Sequence, residues 1–217
     1  MTKYLRIGRI VAVAVPSLSA VEVFALASVA LLLVPGPAVL YVVAQSAEHG
    51  RTAGLASVAG IHVGTVVHIV AATVGLSALI VASATAFTAV KLVGACYLIY
   101  IGIRKLLERD VPLRVRDGTQ RRLFAQGVVV NVLNPKTALF FLAFLPQFVD
   151  PSRGSTWSQV FVLGVLFMML GFVTDSLYAL TAGTIAGALR RRRKLFRYGS
   201  GAIFIGLGTL AALTKRN

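Results

Sequence analysis

Long stretches of this chain carry no charge, and the positions of the charges that interrupt them define its elements. Residues 23–47 and 124–148 are apolar runs of membrane-spanning length, and residues 52–90 hold no charged side chain apart from the histidines His62 and His68. That last stretch is too long for one span. It divides near 75–85, where Gly75, Ser77, Ser83 and Thr85 weaken the apolar signal. Six helices are predicted, near 23–47, 53–75, 84–104, 124–148, 159–187 and 197–213. The expected fold is all-α and polytopic, a single transmembrane domain over 21–217 that follows an N-terminal extension, 1–20.

Two of the predicted helices contain proline breaks. Pro35, Gly36 and Pro37 interrupt the first, and Asn134-Pro135 interrupts the fourth. A proline removes a backbone donor and crowds the carbonyl one turn back, and hydrocarbon supplies no water to replace the lost bond. Such a break survives where protein or a wet cavity covers it. Breaks in corresponding segments of two halves point to a transporter's substrate site at the repeat interface; the alternative is a pair of structural kinks. Three helices per half make the expected repeat an inverted one, with halves near 21–107 and 122–217 joined by a basic loop, 104–122.

Composition agrees with a membrane chain: 57% of the residues are hydrophobic, 13% are charged, and mean hydropathy is +0.83. The net charge of +15 would suggest nucleic acid in a soluble protein, but here the basic residues cluster between apolar runs, so no nucleic-acid partner is expected. Fourteen Lys and Arg fall in the loops after helices one, three and five, against six on the other side. The positive-inside rule then puts both termini outside and the basic loops in the cytoplasm, where the Arg190–Lys194 run would meet anionic lipid head groups. The dissenting positives are Lys3, Arg6 and Arg9; if they hold the N-terminus inside, five spans remain. Cys96 is the sole cysteine, which excludes an intrachain disulfide and a Cys-rich metal site. No cofactor is expected.

An ionised side chain at the centre of a span costs about 2.5–3.5 kcal/mol even on lenient scales, so those at depth are functional candidates. They are Asp175, Lys136 and Lys91. Asp175 is placed to exchange a proton or hold a substrate ammonium, with a structural ion pair as the other reading. Lys136 follows the second break and is placed to meet a carboxylate. Lys91 lies nearer a helix end, where snorkelling suffices. Asn131 and Asn134 are amides close to the second break, suited to a zwitterion. His62 and His68 fall on different faces of one helix, so that helix alone cannot chelate a metal with both. His62 reads as polar packing, whereas His68 is equally a proton-relay candidate. Gly50/Gly54, Gly60/Gly64 and Gly183/Gly187 are stripes that permit close helix approach. Gln45 and Gln147, near helix ends, read as interfacial.

Several short motifs, in order, resemble the LysE/RhtB family of amino-acid exporters. They are Val34-Pro35-Gly36-Pro37, Ala53-Gly54, Gly60 and Gly64 with His68, Gly75-Leu76, Gly94-Ala95-Cys96-Tyr97-Leu98-Ile99-Tyr100-Ile101-Gly102, Asn131-Val132-Leu133-Asn134-Pro135-Lys136, and Phe140-Phe141-Leu142-Ala143-Phe144-Leu145-Pro146-Gln147-Phe148. The similarity runs from about Val23 to Leu213. It implies efflux of amino acids or close derivatives from a bacterial cytoplasm, driven by membrane potential or a proton gradient. Thr65 departs from the pattern, standing where an acid or amide is common, and leaves substrate charge open.

The resulting expectation is an inner-membrane secondary transporter, not an enzyme, for a small amino-acid-like substrate. Pro35, Gly36, Pro37, Asn131, Asn134, Pro135 and Lys136 are expected to bind the substrate, with Asp175 and His68 in proton coupling and no metal. The alternatives are a divalent-metal exporter using His62, His68 and Asp175, and a non-transporting membrane assembly subunit. A homo-oligomer is left open.

Overall fold

The computed structural model describes residues 15–76, 84–107 and 118–213. Four parts of the sequence reading therefore lie outside the described residues: 1–14 of the extension, 77–83 of the dividing stretch, 108–117 of the basic loop and 214–217, with Lys215 and Arg216. The side chain of Lys91 is also outside them. Among the described residues every regular element is helical. In chain order they are α1 (Leu18–Leu33), α2 (Pro37–His49), α3 (Arg51–Ala71), α4 (Ala84–Leu107), α5 (Gln120–Val132), α6 (Pro135–Leu139), α7 (Thr156–Arg191) and α8 (Arg193–Leu213). A wide turn, Ala72–Leu76, extends α3, and α6 continues through a wide turn, Phe140–Phe144, and a tight one, Leu145–Phe148.

Both proline breaks form by the same local chemistry. A residue before proline avoids the helical region, and Val34 and Asn134 are accordingly extended, at φ/ψ −86°/118° and −77°/108°. Pro37 and Pro135 then open the next helix at its first position, where a missing N–H costs nothing. The chain bends by 49° between α1 and α2, and by 42° between α5 and the α6 segment. At Gly50 the backbone turns between α2 and α3 with φ +86°, a conformation that favours glycine.

Two stretches, Arg51–Gly75 and Thr156–Ala188, are long and apolar enough to cross a bilayer, and there are four such units if each bent pair counts as one span. α4 adds a shorter apolar helix, Leu92–Arg104. Six spans were expected. The basic residues at Lys91, Arg104 and Lys105, and at Arg193, Lys194 and Arg197, shorten the uncharged parts of α4 and α8.

Glycines set how the helices meet. A β-carbon on Gly60 would overlap the Phe124 carbonyl, and one on Gly127 would lie 2.7 Å from Ser57 O, so α3 and α5 touch backbone to backbone. Gly60 faces Phe124 and Gly64 faces Val128, which makes this pair parallel. α3 and α7 are antiparallel, with Gly54 opposite Ala179, His62 opposite Gly171 and Ile69 opposite Gly164. α4 and α8 are antiparallel too: Gly102 faces Gly201, and Ala95 faces Gly208. Gly183 and Gly187, by contrast, meet nothing within 4 Å among the described residues, so that predicted stripe makes no helix contact there. Gln45 is buried rather than interfacial.

The main apolar core joins α1, the α6 segment and α7 through Phe24, Phe140, Phe141, Phe144 and Phe167. Phe140 stacks on Phe167 with ring centroids 4.6 Å apart. This aromatic cluster anchors the wide turn after α6 and so holds the second break against α7.

Candidate functional site

The two breaks meet. Between them lies a small cavity of about 30 Å³ whose wall includes Gly36, Ala38 and Val39 from the first break, Asn131, Asn134, Lys136 and Thr137 around the second, His62 and Thr65 from α3, and Gly171 and Asp175 from α7. Polar groups converge there, and its volume exceeds the roughly 10–15 Å³ that one water requires.

Two of the backbone carbonyls that the first break leaves without helical partners are held by side chains. The Lys136 ammonium donates to Val34 O at 2.7 Å, which ties the two breaks together directly. Tyr178 OH donates to Leu33 O at 2.7 Å. These are orphan carbonyls at the end of α1, satisfied by side chains rather than water. Gly36 makes room for the lysine: a β-carbon there would stand 2.9 Å from Lys136 Cδ. At the start of α2 no side chain caps the helix, and Ala38 and Val39 of its first turn are among the residues that line the cavity.

The second break is organised by Asn131. Its Nδ2 donates to Ile61 O (2.8 Å) and to Thr65 Oγ1 (2.9 Å), while its Oδ1 accepts from Asn134 Nδ2 (3.3 Å) and Thr137 Oγ1 (3.1 Å). Both donors and both acceptor positions of this amide are therefore used. Asn134 caps α6, its Oδ1 accepting from Lys136 N at 3.1 Å. Asn131 and Asn134 thus serve first as scaffolding, although both border the cavity. Thr65 is likewise engaged, donating to Ile61 O at 3.2 Å.

Asp175, from α7, lines the same cavity and is buried, 4% exposed. His62 Nε2 stands 3.3 Å from Asp175 Oδ2, in ion-pair range but without hydrogen-bond alignment. Lys136 lies within electrostatic reach of the same carboxylate. The cavity wall thus brings the amine of Lys136 and the carboxyl group of Asp175 to one small space.

Of the residues singled out in the sequence, Gly36, Asn131, Asn134, Lys136 and Asp175 line this one cavity. Pro35, Pro37 and Pro135 shape the breaks without lining the cavity. His68 is directed elsewhere. Its Nε2 lies 2.9 Å from Asn131 O, which can only accept, so that nitrogen carries the proton, and its ring stacks near Phe141. The histidine at the site is His62. From the sequence His62 reads chiefly as polar packing, and Thr137 and Tyr178 carry no signal there; the Gly60/Gly64 stripe does not point to His62 either, because it meets α5 whereas His62 lies on another face of α3, against Gly171 of α7. His62, His68 and Asp175 do not converge, and among the described residues no three His, Cys, Asp or Glu side chains form a metal-binding group.

Comparison with known proteins bears on the same residues. A family model described as LysE type translocator matches residues 29–215, a region that contains both breaks and the whole cavity wall. The chain belongs to the LysE type translocator family. It is a membrane transporter rather than an enzyme. At 32% identity over 202 residues this translocator is similar to an uncharacterized membrane protein of Vibrio cholerae serotype O1, covering 88% of this chain and 96% of the relative. It is also 32% identical over 197 residues to a homoserine/homoserine lactone efflux protein of Salmonella typhimurium, covering 88% and 95%. No solved structure matches it.

Proposed function

We propose that this translocator exports a small neutral amino acid or a close derivative from the bacterial cytoplasm, binding it in the cavity between the two helix breaks. The observation that carries this reading is the placement of Lys136 and Asp175 in one cavity wall with the uncapped start of α2. A zwitterion fits that pattern. Its carboxylate would be held by the Lys136 ammonium and the first-turn amides of α2, where a helix N-terminus favours negative charge. Its ammonium would be held by Asp175. The efflux relatives are named for homoserine and for its lactone. The lactone has no free carboxylate, so the ammonium is the group both solutes share, and Asp175 is its natural counter-ion.

The cavity as it stands admits water but is far smaller than the several hundred Å³ usual for a ligand site. Binding therefore requires the breaks to separate, and the Lys136–Val34 bond is the contact that must yield first. The chain directions support a six-span carrier built as two inverted halves: α3 against α7 and α4 against α8 are each antiparallel, and α3 with α5 is parallel. Six alternating spans in the inner membrane would require that arrangement, with both termini outside and the basic loops in the cytoplasm. Energy would come from a proton gradient acting through Asp175.

The test is counterflow of labelled L-homoserine and a panel of amino acids in liposomes containing the purified protein. The reading expects exchange of a neutral amino acid by the wild type and its loss in Asp175→Asn, with that variant still present in the membrane. Full gradient-driven export by Asp175→Asn would reject the role of the carboxylate.

A further inference from the structure

His62 has no function in the scheme above, yet its surroundings are built. It is nearly buried, and neither ring nitrogen has a hydrogen-bond partner. Among the described residues its close ionic neighbour is the Asp175 carboxylate, 3.3 Å from Nε2. Phe172 holds the ring edge-on, with centroids 5.4 Å apart. Gly171, one turn before Asp175 on α7, leaves the space the ring occupies: a β-carbon there would stand 3.2 Å from His62 Cε1. A buried imidazole with unpartnered nitrogens is costly when neutral, and costlier still when charged unless an anion faces it.

Resting on the export reading above, we infer that His62 is the seat of the coupling proton, and that the His62–Asp175 pair holds one exchangeable cation: either the imidazolium proton or the ammonium of the substrate. With the cavity free of solute, protonated His62 faces the carboxylate. When an ammonium reaches Asp175, two cations share one buried carboxylate next to the fixed charge of Lys136, and the imidazole releases its proton to cavity water. The proton lost and the ammonium gained carry the same charge, so a one-for-one exchange follows. The ionisable groups that face this pair are Lys136 from α6 across the cavity and Tyr178 further along α7. α1 contributes only Leu31 and Leu32 to the wall, α2 Ala38 and Val39, and α5 the neutral Asn131.

The experiment uses the full chain in liposomes with labelled L-homoserine, and compares exchange at equal pH with accumulation driven by an imposed pH gradient. His62→Gln keeps a polar group beside Asp175 but cannot take up a proton. Its gradient-driven accumulation, taken as a ratio to its own exchange rate, is expected to fall about tenfold or more, and its exchange should lose its pH dependence over about pH 5.5–8. Gly171→Ala adds a methyl group that tips the ring away from Asp175, and should move the midpoint of the pH profile by about half a unit or more. If His62→Gln does not fold, Gly171→Ala decides alone. Wild-type ratios and pH profiles in these variants would overturn the inference while leaving the export reading intact. A wild type that moves neither homoserine nor any neutral amino acid would sink both.

Discussion

The side-chain amide of Asn131 donates twice and accepts twice within the protein, which leaves no hydrogen bond for a ligand without breaking one. Asn131→Asp keeps the shape but removes the donor to Ile61 O and Thr65 and buries a charge. It should lower stability by about 3 kcal/mol, read as a fall in melting temperature in detergent. A melting temperature equal to the wild type's would show that the network is dispensable. Lys136 behaves differently, because its ammonium is held by a single carbonyl that a carboxylate can replace. Lys136→Met should reduce export about tenfold or more at normal membrane levels, since it removes a charge-assisted contact to the substrate. Export equal to the wild type's would exclude the lysine from the site. Both residues were legible as polar groups at depth. That the amide is saturated while the ammonium is held by one carbonyl depends on partners some 70 and 100 positions away, at Ile61 and Val34, and no local pattern reveals that.

Among the elements, the breaks were the most legible feature, because proline's missing donor and its effect on the preceding residue act within a few positions. The helix joints were less so. Gly60/Gly64 and Gly183/Gly187 look alike as sequence, yet only the first pair meets a neighbour's backbone. That difference yields a paired test. Gly60→Ala would force a methyl group onto the Phe124 carbonyl and should prevent stable assembly of α3 on α5, seen as loss of folded protein on size-exclusion chromatography. Gly183→Ala meets open space and should be neutral, or stabilising by up to about 1 kcal/mol through helix propensity. Equal behaviour of the two variants would contradict the packing described. His62 belongs to the same lesson. Its face of α3 was correctly separated from that of His68, but only the approach of α7 at Gly171 shows which face meets an acid.

At the scale of the molecule, the all-helical class and the family were both legible, the first from uncharged runs and the second from the order of short motifs. The number of spans is harder to read, because charges near the ends of α4 and α8 blur where an apolar helix stops. Orientation can be measured. In a Cys96→Ser background, Ser152→Cys on the loop before α7 and Arg192→Cys beyond its far end lie at opposite ends of a 36-residue helix. An impermeant maleimide added to intact cells should label the first and not the second. The reverse pattern would invert the proposed topology. The central claim is that the two broken helices enclose the solute between Lys136 and Asp175, and the most direct measurement is a structure determined at saturating L-homoserine. The account predicts the solute in the cavity, with its ammonium on Asp175, its carboxylate facing Lys136 and the start of α2, and the Lys136–Val34 bond broken. Solute bound elsewhere, with that bond and the closed cavity unchanged, would contradict it.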